Sequence, residues 1–174
     1  MTTYKVQTLD VPGANWGTTA QGVNDLGQIT GEYQIGIPGN PYDQAYIMTP
    51  GSAGIISLGG DPYGQHSDGY DINNRMEMAG QSGHYESTAR GFVRHVDGSF
   101  TRLEYTIDNA FTTALGNNDW GGTVGQARVF DAAGSSVGVY WRATGEIKDV
   151  YSVPGATATS TSGTNNWGMG RRDL

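Results

Sequence analysis

The chain has 174 residues, with 10 Lys and Arg against 17 Asp and Glu, for a formal net charge of −7. It lacks the clustered cations that nucleic acid or an anionic membrane surface would require, any apolar run near the roughly 20 residues of a spanning helix, and any cysteine for a disulfide or thiolate zinc site. Glycine supplies 28 residues without a three-residue period, which excludes collagen and points to one domain, 1–174, rich in tight turns.

In chain order, the segment YKVQTLDVPGA (4–14) comes first and matches EIKDVYSVPGA (146–156) in length and ending. Next comes GVNDLGQITG (22–31), the first of four related segments; the others are DINNRMEMAG (71–80), GNNDWGGTVG (116–125) and GTNNWGMGRR (163–172). Their asparagines, Asn24, Asn73, Asn118 and Asn165, are spaced by 49, 45 and 47 residues, the length of a four-stranded propeller blade. Each segment reads as strand, tight turn, strand, with Gly at the turn position that favours a left-handed backbone; Met76 takes that position in the second unit. Two further strands follow in each unit: AYIM (45–48) and GIISL (54–58), GFVR (91–94) and SFTRLEY (99–105), GVYW (138–141) and EIKDVYSV (146–153). No window carries an apolar stripe at helical spacing. The fourth unit has two strands, near 159–164 and 168–174, and residues 4–10 are expected to close it from the front of the chain. The expected fold is therefore all-β: a small β-propeller of about four blades, the last closed by the N-terminal strand.

The pattern VPGA, then a Thr-rich strand, then GIND-x-GQIVG-x-Y resembles the HAF-type bacterial extracellular repeat. It stands here as Val11-Pro12-Gly13-Ala14, Thr18-Thr19 and residues 22–33, and recurs from Val153-Pro154-Gly155-Ala156. The resemblance covers the whole chain and is weakest in the second unit. It implies a propeller-like, exported protein, extracellular or periplasmic, although the chain begins with no signal-peptide pattern. It implies no shared reaction and no catalytic residues.

If strand one of each unit runs toward its Asn turn, strand-one starts and strand-two ends share one face of the ring. That face gathers Trp16, His66, Asp68 and Phe111 before strand one and Glu32, Tyr33, His84, Glu86, Arg128, Arg171 and Asp173 at or after the end of strand two, with long loops expected at 34–43, 59–65 and 129–135. Binding residues concentrate on loops held by a rigid scaffold, so this loop-rich face is the expected site. His66 with Asp68 and His84 with Glu86 are period-two pairs suited to acid/base work or a divalent metal, and equally to solvated loops. The third histidine, His95, precedes a turn and reads as exposed. Small residues on one side of strand one (Thr18, Ala20, Gly22; Ser67, Gly69, Asp71; Thr112, Ala114, Gly116; Thr159, Thr161, Gly163) suit a crowded axis. Asp71, the charged member, reads as a turn cap or a weak cation ligand. Among the tryptophans, Trp141 reads as packing between units, and Trp16 as the best ligand platform.

Three readings follow. The first is a binding module for a carbohydrate or other polar small molecule at the loop-rich face, with ligand contacts from Trp16, Glu32, Tyr33, Tyr70, Arg128 and Arg171. The second is a small lyase, isomerase or hydrolase using His66, Asp68, His84 and Glu86, which break the repeat pattern. The third is an assembly role, as a homo-oligomer through the incomplete fourth blade. No organic cofactor is called for, and a divalent metal is left open. P-loop, HExxH and GxSxG motifs are absent from the sequence.

Overall fold

The structure, a computed structural model, describes residues 8–49, 51, 54–58, 65–83, 88–106, 110–128, 134–166 and 170–173. The described residues contain strands and turns and no helix. Three antiparallel four-stranded meanders follow one another. Sheet I holds β1 (Gly17–Val23), β2 (Ile29–Ile37), β3 (Asn40–Met48) and β4 (Ile55–Ser57). Sheet II holds β5 (His66–Ile72), β6 (Met78–Gly83), β7 (Arg90–Arg94) and β8 (Phe100–Leu103). Sheet III holds β9 (Phe111–Asn117), β10 (Thr123–Arg128), β11 (Ser136–Trp141) and β12 (Ile147–Tyr151). The pair β13 (Ser160–Thr164) and β14 (Gly170–Asp173) begins sheet IV. The N-terminal strand expected at 4–10 falls mostly outside the described residues, and 8–10 carry no strand.

Residues 34–43 correct the expectation of a long loop. They extend β2 and β3 into one hairpin, paired from Ile29↔Met48 to Ile37↔Asn40. Pro38 has its φ fixed by its ring, and Gly39 supplies the positive φ of +89° that closes the turn.

Each sheet packs face to face on the next. β5 lies against sheet I, β9 against sheet II, and β13 against β9, β10 and β11. The cores are accordingly between sheets. Ala45 and Ile47 of sheet I meet Ile72, Met78 and Phe92 of sheet II. Ala79, Val93 and Leu103 of sheet II meet Ala114, Ala127, Val139 and Trp141 of sheet III. Trp141 is fully buried and its indole N–H donates to the Glu104 carbonyl across that junction at 2.8 Å, the packing role expected of it.

The repeated asparagine is the clasp of each junction. Within its own turn, Asn73 Oδ1 accepts the N–H groups of Arg75 (3.0 Å) and Glu77 (2.9 Å), and Asn24 and Asn118 do the same in theirs. Its Nδ2 then donates to the carbonyl of the next unit's asparagine: Asn24 to Asn73, Asn73 to Asn118 and Asn118 to Asn165, each at 2.9 Å. A second ladder runs through the following residues. The N–H of Asp25 donates to Asn74 Oδ1, that of Asn74 to Asp119 Oδ1, and that of Asp119 to Asn166 Oδ1. The turn geometry needs a left-handed residue three positions after the asparagine. Gly27 and Gly121 supply it at φ +74° and +78°, and Met76 adopts φ +60° in their place. The Met76 sulfur accepts from Gln28 Nε2 of sheet I at 2.9 Å, a contact no glycine could make.

The first strand of every sheet carries a β-bulge three residues before its asparagine, at Gln21, Tyr70, Leu115 and Ser162. The extra residue reverses the alternation of side chains. Positions six and four before the asparagine therefore face the preceding sheet. Ser67 Oγ accepts Ala45 N–H, Thr112 Oγ1 accepts Gly91 N–H and donates to Leu103, and Thr161 Oγ1 donates to Gly125. After the bulge the small residue faces the following sheet, as Gly22 does against Asp71 and Gly116 against Gly163. The small residues read as one side of strand one therefore face two different sheets, and Gly22 and Gly116 are small because two first-strand backbones meet there.

Candidate functional site

With that alternation set, the remaining side chains of the first strands form a polar row on the opposite face. Position five before the asparagine (Thr19, Asp68, Thr113, Ser160) pairs in register with position eight after it in the second strand: Thr19↔Glu32, Asp68↔Gln81 and Thr113↔Gln126. At the junction of sheets II and III the two facing residues, Gln81 and Thr113, are uncharged and hydrogen-bonded to each other. Gln81 Nε2 donates to Asp68 Oδ2 at 2.9 Å, and Thr113 Oγ1 donates to Gln81 Oε1 at 3.0 Å. At the junction of sheets I and II the same positions hold two acids, Glu32 and Asp68. Gln21 Nε2 approaches Glu32 Oε1 at 3.4 Å, while Glu32 Oε2 is enclosed with no hydrogen-bond partner among the described residues.

The electrostatics follow from that substitution. Partial burial, and then the charge of Asp68, push the Glu32 carboxyl above its usual value; Gln21 and Thr19 oppose this and Asp43 adds to it. Burial also raises Asp68, against the hydrogen bonds from Gln81 and Tyr70 and the charge of His66. Tyr70 donates to Asp68 Oδ2 at 3.3 Å, and burial together with that neighbouring charge moves its phenol far above its usual range. His66 stands at the rim, half exposed. Its Nδ1 accepts Asp43 N–H at 3.4 Å and lies 3.8 Å from the Asp43 carboxylate, and Tyr42 presents its ring edge-on at 6.4 Å. Three carboxylates, an imidazole and two phenols therefore gather at one end of the first junction. Among the described residues, no group of three His, Asp or Glu side chains is arranged to hold a metal ion.

The opposite end carries a shallow depression of about 300 Å³ lined by the Asn turns, including Asp71, Asn73, Asn74, Asn117 and Asp119. Most of its polar groups hold sheets together, while Asn117 Oδ1 is enclosed with no hydrogen-bond partner among the described residues. Asp71 Oδ2 accepts Asn117 N–H at 2.9 Å, so it caps across a junction, and burial raises its carboxyl while the N–H groups of Asn117 and Ile72 draw it back. Burial alone would raise Asp119, but the Asn74 N–H and the amides of Asn166 and Asn74 hold it below the usual carboxylate range.

Of the residues expected at a site, His66, Asp68, Tyr70 and Glu32 come together. Trp16 is exposed just before β1, and Arg128 is exposed at the end of β10. Tyr33 lies in the core at 6% exposure, its hydroxyl bonded to Gln44 (2.8 Å) and Ser57 (2.7 Å). His84 and Glu86 lie outside the described residues; Arg171 falls in β14, whose side chains are likewise outside the description. His95 corrects its reading as exposed: its ring bridges Glu77 Oε1 (3.0 Å) and Thr101 Oγ1 (2.8 Å), because Glu77 is a buried hub also held by Asn73 and Arg75. Sequence reading missed Asp43, Tyr42, Gln21 and Gln81. The column Glu32, Gln81, Gln126, eight residues after each asparagine, would have revealed Gln81. Asp43 and Tyr42 were hidden by the misread hairpin.

No protein-family model matches this chain, and no curated protein matches it.

Proposed function

We propose that this chain is a binding module for a polar, hydroxyl-bearing small molecule, carbohydrate being the leading class, on a propeller-like arrangement of its sheets. The observation that carries the reading is the exchange at the first junction. Glu32 faces Asp68 where the next junction has the uncharged, hydrogen-bonded pair Gln81 and Thr113. A fold that only needed to close this junction has a neutral solution one repeat away. Two carboxylates instead offer acceptors of the kind that sugar hydroxyls satisfy. Tyr70 bonds Asp68 and Tyr42 meets His66 beside these carboxylates. The repeat resemblance adds the expectation of an exported protein.

The acid/base reading has its own support in the carboxyls of Glu32 and Asp68, which burial raises above their usual values, the direction a general acid needs. It would show as turnover of a bound compound with a pH profile that changes in Glu32→Gln.

The test is thermal shift and calorimetry with mono- and disaccharides on wild type, Glu32→Gln and Asp68→Asn. A saccharide is expected to raise the wild-type melting temperature through mass action, about 2.7 kcal/mol at a hundred times its Kd, and to lose that effect in both variants. A saccharide that binds all three proteins alike, or no saccharide binding at all, refutes the reading.

A further inference from the structure

The junction of sheets II and III holds a second cluster of chemically active side chains. Glu77 stands just before β6, His95 just after β7 and Thr101 within β8. The registers Met78↔Arg94 and Val93↔Thr101 set Glu77 beside His95 and Thr101 diagonal to it. All three share the face that carries Ala79, Val93 and Leu103 toward sheet III.

Two hydrogen bonds link them in line. His95 Nδ1 meets Glu77 Oε1 at 3.0 Å, and its Nε2 meets Thr101 Oγ1 at 2.8 Å. A carboxylate oxygen only accepts, so the proton of the neutral ring lies on Nδ1 and Nε2 accepts from the Thr101 hydroxyl. Exposure increases outward from the acid: the Glu77 side chain is 6% exposed and that of His95 27%, and Thr101 is half-buried. Glu77 is fixed on several sides. Arg75 Nη2 donates to Oε1, Asn73 Nδ2 donates to Oε2, and the Glu77 carbonyl accepts from Asn117 Nδ2. A fixed, buried acid, an imidazole oriented by it and a hydroxyl on the far ring nitrogen are what a hydroxyl nucleophile needs.

The repeat does not require this arrangement. Sheet I has Gln28, Thr49 and Ile56 at the same three positions, and sheet III has Gly122 and Arg142 at the first two. Thr101 also borders a groove of about 580 Å³ between the end of β8 and the β11–β12 turn, lined among others by Tyr105, Arg142, Gly145 and Ile147. Tyr105 and Ile147 rest on the core between the sheets and give the groove an apolar wall. Gly145 joins the groove to the row, since a Cβ there would lie 3.0 Å from the Thr101 methyl.

We propose that Thr101, His95 and Glu77 form an acyl-transfer centre that hydrolyses small carboxylic esters. Thr101 Oγ1 attacks the ester carbonyl carbon while His95 Nε2 takes its proton. The tetrahedral adduct collapses, the bond to the alcohol oxygen breaks, and that oxygen takes the proton from His95. Water then attacks the acyl–Thr101 ester and gives a proton to Nε2; the acid leaves as Thr101 Oγ1 recovers it. Glu77 touches neither substrate nor product. It is a positioning residue that holds the tautomer of His95 and stabilises the imidazolium. This centre is independent of the ligand reading at the first junction.

The test is hydrolysis of p-nitrophenyl acetate and butyrate by the full chain, together with labelling by an alkyl fluorophosphonate mapped by peptide mass. The variants are Thr101→Val, Thr101→Ser, His95→Gln and Glu77→Gln, each checked for the wild-type fold by circular dichroism. Wild type is expected to release p-nitrophenol and to take up the phosphonyl group at Thr101 with loss of fluoride. Thr101→Val and His95→Gln are expected to lose the label and at least about 100-fold in kcat/KM, while Thr101→Ser keeps both. Glu77→Gln is expected to lower kcat with KM unchanged. Absence of turnover and label in wild type overturns the proposal. So does turnover that persists in Thr101→Val, an equal loss in Thr101→Ser and Thr101→Val, or a label on another residue. A wild-type kcat in Glu77→Gln overturns the positioning role.

Discussion

Replacing Asn73 with Ala tests whether the repeated asparagine holds the junctions. Asn73 is 4% exposed and makes four side-chain hydrogen bonds. It accepts from Arg75 and Glu77 within its turn, and donates to Glu77 Oε2 and to the Asn118 carbonyl of sheet III. A net contribution near 1 kcal/mol per bond, with buried partners left unsatisfied, gives a loss of about 4 kcal/mol. That is a large part of the roughly 5–15 kcal/mol typical of a domain. With an m-value of roughly 2 kcal/mol/M, the urea midpoint falls by about 2 M. Asn24→Ala removes the same set of bonds at a half-exposed turn, where water can replace them, and is expected to cost about half as much. Asn73→Asp keeps the volume and the acceptor oxygen but loses both donations and sets a carboxylate against Glu77. It should be as unstable as the alanine variant at pH 7. Urea curves that place all three variants within about 0.5 kcal/mol of wild type, the range of neutral surface changes, would refute the clasp.

Gly80→Ala and Gly125→Ala would drive a methyl into the carbonyls of Asp68 and Thr113, so each is expected to cost at least about 3 kcal/mol or prevent folding, read as soluble yield and melting temperature. Trp141→Ala empties the core between sheets II and III and orphans the Glu104 carbonyl; a loss of about 3–5 kcal/mol in urea is expected. Glu32→Gln installs the residue that sheets II and III carry at this position. Burial and Asp68 raise the folded-state value of the Glu32 carboxyl, so its ionisation destabilises the fold: the penalty is absent below the unfolded-state value near 4, grows as pH rises through the folded value, and is complete above it. The variant should therefore melt higher than wild type at pH 7 and equal to it near pH 3; an equal gain at both pH values would exclude an electrostatic origin.

The repeat made most of the local structure legible. Asn followed three positions later by Gly specifies the turn through local backbone chemistry, and short β-prone runs at regular spacing specify four strands per unit without reference to the rest of the chain. Even Met76, which breaks the local rule, sits in the same turn, because the Asn73 side chain and the contact from Gln28 hold it there. Sequence also placed His66, Asp68 and Glu32 at one end of the strands, since their offsets from the asparagines fix the direction in which they lie.

What only the tertiary structure decided was which side of each strand met which neighbour. The bulge before every asparagine leaves no mark in composition, yet it reverses the alternation, so small residues that read as one side of a strand face two different sheets. For the same reason the pairing of Glu32 with Asp68 was invisible. The two residues belong to different units and share a row only once sheet II lies on sheet I. A strand's alternation is a local property of the backbone, while the partner of each face is set by packing between sheets that are distant in sequence.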